Sequence, residues 1–216
     1  MRTRPPEPRT KPLKRPSQAR AKVTVQAIFD TYVRIWQRDG WERINTRAIA
    51  LECGIAVGTL YDYFPSKMAL HSGYIRHCIE ALIQQVEQSA VEPTDLSWEE
   101  RLHRLLQLVC GLERSGLPWF HPKLIELEPT VAEHKHQQRA HVELKQMWLR
   151  VFEACDDLPR PVSAETIEAL HLAVWGGRRY SILLQLGEDE IQSWAREMER
   201  MCRGVVLGCS ESEQQR

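Results

Sequence analysis

Apolar residues in this chain recur at intervals of three and four along every long stretch, and no run alternates with the period of two that a strand requires, so the fold expected is helix packed on helix. From Gln18 to Asp39 the apolar set is Val25, Ile28, Phe29, Tyr32 and Trp36, and Asp39-Gly40 ends it. A brief helix follows from Thr46 to Cys53, capped by Asn45 or Thr46 and broken by Gly54. A second runs from about Ala56 to Phe64 and stops at Pro65; Ser66 then caps a long helix carrying Leu70 through Val86. Two capping-box pairs, Ser97 with Glu100 and Thr130 with Glu133, open helices near 98–114 and 131–155. Pro118, Pro122 and Pro129 leave room for at most a short helix between them. The last two helices span 163–186 and 189–207. The class is all-α, about nine helices, with an N-terminal three-helix domain and a larger C-terminal helical domain.

Composition narrows the setting. With 216 residues and 43% hydrophobic content the chain can fill a real core. Its apolar runs fall far short of the ~20 residues of a membrane span, and its start is rich in proline and arginine, so a cytoplasmic protein without membrane attachment is expected. The six cysteines lie far apart with no C-x-x-C pair, which suits buried thiols in a reducing compartment. Zero net charge hides an asymmetry: residues 1–22 hold eight Lys/Arg against Glu7, whereas the remainder has 21 basic and 28 acidic residues. The proline-rich start is read as a basic flexible arm, residues 1–16, suited to a polyanion.

Two short helices separated by a glycine turn form a helix-turn-helix, whose second helix fits the major groove of DNA. Spacing puts Ile49, Ala50, Ile55, Leu60 and Phe64 inside and leaves Arg47, Val57, Gly58, Thr59, Tyr61 and Tyr63 outside. An outward tyrosine hydroxyl can donate to phosphate, and Lys67 adds a charge at the start of its helix. The segment "TRAIALECGIAVGTLYDYFPSKMAL", residues 46–70, closely resembles the DNA-binding domain of the TetR family of bacterial transcriptional regulators. The resemblance covers roughly residues 17 to 75 and implies a homodimer on a palindromic double-stranded operator. It assigns phosphate contacts to Thr46, Thr59, Tyr61, Tyr63 and Lys67, and positions near base edges to Arg47, Val57 and Gly58. Domains of 1–16, 17–66 and 67–216 follow: arm, DNA-binding, and regulatory with dimerisation. Where the family often has serine and a cation, this chain has Ala56 and Val57, so Arg47 and the arm carry more of the expected binding.

For the larger half, the family layout implies an effector cavity and a self-association seam made by the last two helices. Leu170, Leu184, Ile191, Met198 and Val205 are candidates for the seam, with Gly176-Gly177 permitting close approach. Aromatic residues mixed with a few polar ones suggest an unknown small effector, apolar or aromatic, bound by Trp119, Phe120, His121, Trp148, Phe152, His171, Trp175 and Arg178. No metal or cofactor is expected: His134 and His136 point apart on a helix, and His141 lies on a solvated face. No nucleophile elbow, phosphate loop or H-E-x-x-H motif supports an enzyme. The function expected is a one-component regulator, a repressor released by its effector. An architectural or partner-recruiting DNA-binding dimer without an effector is the alternative.

Overall fold

The structure, a computed structural model, describes residues 19–131 and 134–208. The arm at 1–16, the Glu133 half of the second capping pair and Cys209 lie outside the described residues. Among them the elements are nine helices and no strand: α1 Ala19–Asp39, α2 Thr46–Cys53, α3 Val57–Tyr63, α4 Lys67–Val86, α5 Trp98–Val109, α6 Lys123–Val131, α7 His134–Glu153, α8 Ala164–Leu183 and α9 Glu188–Leu207. A short 3-10 turn at Trp41–Arg43 follows α1, and a π turn at Glu87–Val91 continues α4.

Two compact units divide the described chain, one holding 19–77 with 127–131 and the other the remainder. The division falls inside α4, beyond the start of that helix where the sequence boundary was drawn. The reason is aromatic packing. Tyr74 of α4 sits 5.1 Å from Tyr32 and 5.5 Å from Phe29, centroid to centroid, and His77 stacks on Phe29 at 5.0 Å. A Cβ added at Gly73 would lie 2.6 Å from the Phe64 ring, so glycine there lets α4 close on that residue. Ile28, Tyr32, Ile49, Ala50, Leu60, Leu70 and His71 are all fully buried in this first unit. His71 is held by the Tyr32 hydroxyl, 2.7 Å from Nδ1.

The second unit is built around the apolar faces of α5, α7, α8 and α9, with Trp148, Leu105, Leu106 and Cys202 near its centre. Its α5 starts with the expected box: Ser97 N donates to Glu100 Oε2 at 2.9 Å, and Glu100 N to Ser97 Oγ at 3.3 Å. That helix ends at Val109 because Gly111 turns left-handed, φ 78°, earlier than the apolar pattern indicated. The buried Arg101 donates from Nη1 and Nη2 to the carbonyls of Ala90, Val91 and Pro93, closing the π turn and offsetting part of the cost of an interior charge, while its Nε has no partner among the described residues. Thr130 does not open a helix. It lies in the last turn of α6, its hydroxyl donating to Leu127 O at 2.6 Å, and α7 begins at His134. No described helix is long and apolar enough to cross a membrane, and Cys53, Cys110, Cys155 and Cys202 are free thiols among the described residues.

Candidate nucleic-acid interface

Local chemistry fixes the turn between α2 and α3. Asn45 accepts from Ala48 N at 2.8 Å and starts α2; Gly54, φ 73°, ends it, and the next residue, Ile55, donates from its N to Ala50 O at 3.0 Å. Ala56 opens α3 without a side-chain cap. Glu52 ties α2 to α1, accepting from Arg34 Nε at 2.7 Å and Arg38 Nη2 at 2.9 Å. Leu60 and Phe64 bury the inner face of α3.

The outer face carries most of the sequence assignments. Val57, Gly58 and Tyr61 are exposed, as is Arg47, which makes no ion pair or side-chain hydrogen bond among the described residues. Thr46 and Tyr61 are brought together, their hydroxyl oxygens 3.0 Å apart across the two helices. Sharing one hydrogen leaves the other free for an outside acceptor. Gly58 has an ordinary backbone, and nothing among the described residues lies within 4 Å of a Cβ built on it, so their fold gives no reason for glycine there. Thr59 and Tyr63 are half-buried, with the Tyr63 ring 6.5 Å from that of Phe64. Lys67 is not a free outward charge: its Nζ donates to Trp41 O at 2.7 Å and lies 3.9 Å over the Trp41 ring, and burial pushes its pKa down. Sequence spacing could not show that contact, because Trp41 lies in a turn that helical periodicity does not describe.

The residues assigned to an effector do not form one lining. Phe120 and His121 are at the surface, where His121 Nδ1 accepts from Lys123 N at 3.1 Å, and Trp119 pairs with His121 at 5.6 Å. Trp148, Phe152 and His171 are core residues, with Trp148 and half-buried Trp175 at 6.1 and 6.5 Å from the His171 ring. Sequence reasoning missed their polar neighbours. His141 stacks on His171 at 5.4 Å and sits 3.1 Å from Glu168, which also takes Lys145 Nζ at 2.6 Å. So His141 turns toward α8 with 34% of its side chain still exposed. No three metal-ligating side chains converge among the described residues. In the expected seam, Leu170 and Met198 are buried in the chain's own core, while Leu184 is exposed along with Leu172, Tyr180 and Leu183. Gly177 serves the same chain: a Cβ there would meet the Trp194 ring at 2.7 Å, whereas Gly176 faces open space.

Comparison with known proteins places a family match on this same region. The sequence model of bacterial regulatory proteins of the tetR family matches residues 28–72. The nucleoid occlusion factor SlmA of Haemophilus influenzae is 32% identical over 77 residues, 36% of this chain and 34% of that protein. The transcriptional repressor KstR of Rhodococcus jostii is 29% identical over 91 residues, 42% and 41% of the two chains. The matches to these relatives thus span well under half of their length. A TetR-family transcriptional regulator from Streptomyces coelicolor shares the fold over 85% of this chain and 99% of its own, TM-score 0.57 at 18% identity.

Proposed function

We propose that this chain, a TetR-family transcriptional regulator by its helix-turn-helix and its all-helical fold, binds a palindromic operator as a homodimer and represses transcription until a small apolar or aromatic molecule releases it. The family is one of DNA-binding regulators, so no enzymatic role is assigned. The observation that carries the reading is Gly58. Neither φ nor packing asks for glycine at this point of α3, yet it lies between exposed Val57 and the Thr46–Tyr61 hydroxyl pair. A missing side chain lets a helix start approach a phosphodiester backbone closely. Thr46, Thr59, Tyr61, Tyr63 and Lys67 then serve phosphates, and Arg47 and Val57 serve base edges, guanine and the thymine methyl respectively. Arm residues 1–16 add phosphate contacts; deleting them lowers the salt dependence of binding.

Leu172, Tyr180 and Leu183, with Leu184 just past its end, give α8 an exposed apolar face, which supports pairing of two copies through the last two helices. A dimer sets its recognition helices about one DNA turn apart, and α4, one helix that starts beside the recognition helix, transmits an effector-driven tilt to that spacing. Selection of bound sequences from random duplexes by the purified cytoplasmic protein tests this. An inverted repeat with half-sites about one turn apart is expected; enrichment of no sequence overturns operator recognition. A second reading, an architectural DNA-binding dimer without an effector, draws on the likeness to a nucleoid occlusion factor. It predicts operator affinity unmoved by any small molecule that binds the protein.

A further inference from the structure

Arg178 of α8 is a cation without a counter-charge. Its Nη1 is sealed from solvent and has no hydrogen-bond partner, and no carboxylate lies within ion-pair distance of the guanidinium among the described residues. Its charged neighbour is repulsive: Arg114, whose Nε donates to Gly111 O at 3.0 Å. The other titratable neighbour, the Cys110 thiol, is pushed up by burial to about 12 and is neutral at pH 7. The glycine at 111 leaves the space the guanidinium fills, since a Cβ there would fall 2.4 Å from Arg178 Nη2. The carbonyl end of α5 offsets part of the charge, yet none of its oxygens accepts from Arg178.

A guanidinium keeps its proton at neutral pH, so it cannot escape burial by discharging as a lysine does. Arg178 is half-buried, and where Arg101 has three carbonyls its sealed Nη1 has none, so an anion that reaches it would be stabilised there. Two turns back on the same face of α8, about 10 Å away along the axis, His171 presents a second buried nitrogen, Nδ1, with no partner. Buried Val174 and half-buried Trp175 lie between them. An anionic group at one end and an apolar stretch beside it describe one chemical class.

We propose that Arg178 anchors the carboxylate of the effector, which is an apolar small molecule with a single acid group whose tail follows Val174 and Trp175. The site deepens the effector reading above and rests on it only for the link to operator release; binding is measured without DNA, so the two fail separately. Calorimetry on the full chain compares decanoate with decanol and 4-phenylbutyrate with 4-phenylbutanol, in wild type, Arg178→Met and Arg178→Gln. At least one acid is expected to bind wild type tenfold or more tighter than its alcohol, and the preference to fall below twofold in both variants. Two results overturn the anchor: neither acid binding at 1 mM, or an acid preference that survives in the variants. If Arg178→Met does not fold, Arg178→Gln carries the comparison of acids with alcohols. An acid that binds through Arg178 and leaves operator affinity unchanged keeps the anchor and removes the release reading.

Discussion

Lys67 lies over Trp41, its Nζ 3.9 Å from the ring centre and 2.7 Å from the carbonyl oxygen of the same residue. A cation placed in this way is held in one position before any DNA arrives. Removing the charge and removing the platform therefore have different signatures. Lys67→Gln is expected to lower the salt slope of operator binding by about one, the loss of one phosphate contact. Trp41→Leu keeps the carbonyl and the charge; it is expected to cost about 0.5–1 kcal/mol of affinity, two- to fivefold, with the slope unchanged. Fluorescence anisotropy over a range of salt concentrations separates the two.

The glycines on either side of the turn separate folding from binding. Gly54 is left-handed and Gly58 is not. Gly54→Ala is expected to destabilise the first unit by about 1 kcal/mol, while Gly58→Ala folds at least as well as wild type and loses operator affinity by tenfold or more. Chemical denaturation and DNA binding on the same two variants decide the matter; full operator affinity in Gly58→Ala removes the close-approach argument.

Association through α8 is open to a direct test. Tyr180→Glu with Leu183→Glu places charges on the exposed apolar face without touching the buried core. Light scattering is expected to show the double variant as monomer where wild type is dimer, with operator affinity falling steeply because one half-site is bound at a time. A dimeric double variant moves the seam off α8.

Burial gives His171 a pKa near 4, lowered further by facing His141 and raised in part by Glu168. Since the folded value lies below that of the free ring, about 6.5, the unfolded chain takes up its proton first as pH falls. Stability tied to the neutral ring is complete above pH ~6.5 and is lost progressively down to about 4. His171→Phe is expected to flatten that loss, read as the urea midpoint at pH 7.5 against pH 5. An unchanged pH dependence would place the titrating group elsewhere.

How much of this was legible in the sequence depends on how local the cause was. The cap at Asn45, the left-handed Gly54 and the Ser97–Glu100 box act within four residues, and the chain shows each where its residue types indicate. Aromatic spacing in α3 likewise put Leu60 and Phe64 inside and left Tyr61 outside. What could not be read came from contacts between distant residues. Lys67 reaches Trp41 and His71 reaches Tyr32 across turns whose path no periodicity encodes. Thr130 has the right partner three residues on, but the helix before it runs through Pro129 and uses its hydroxyl first. On α8, Leu170 and Leu172 are equally apolar, and only the packing of α5, α7 and α9 decides which of them is covered. The effector residues were the least legible, because apolar content alone does not tell a filled core from a binding wall.

Adjacent codons at 176 and 177 are subject to separate constraints. Anything bulkier than glycine at 177 must displace the indole of Trp194, so variation there is filtered within a single polypeptide, whereas a Cβ at 176 meets nothing among the described residues. A saturation library over the pair would therefore show intolerance at 177 in a simple abundance screen. Intolerance at 176 would surface only in a screen for what the finished protein encounters.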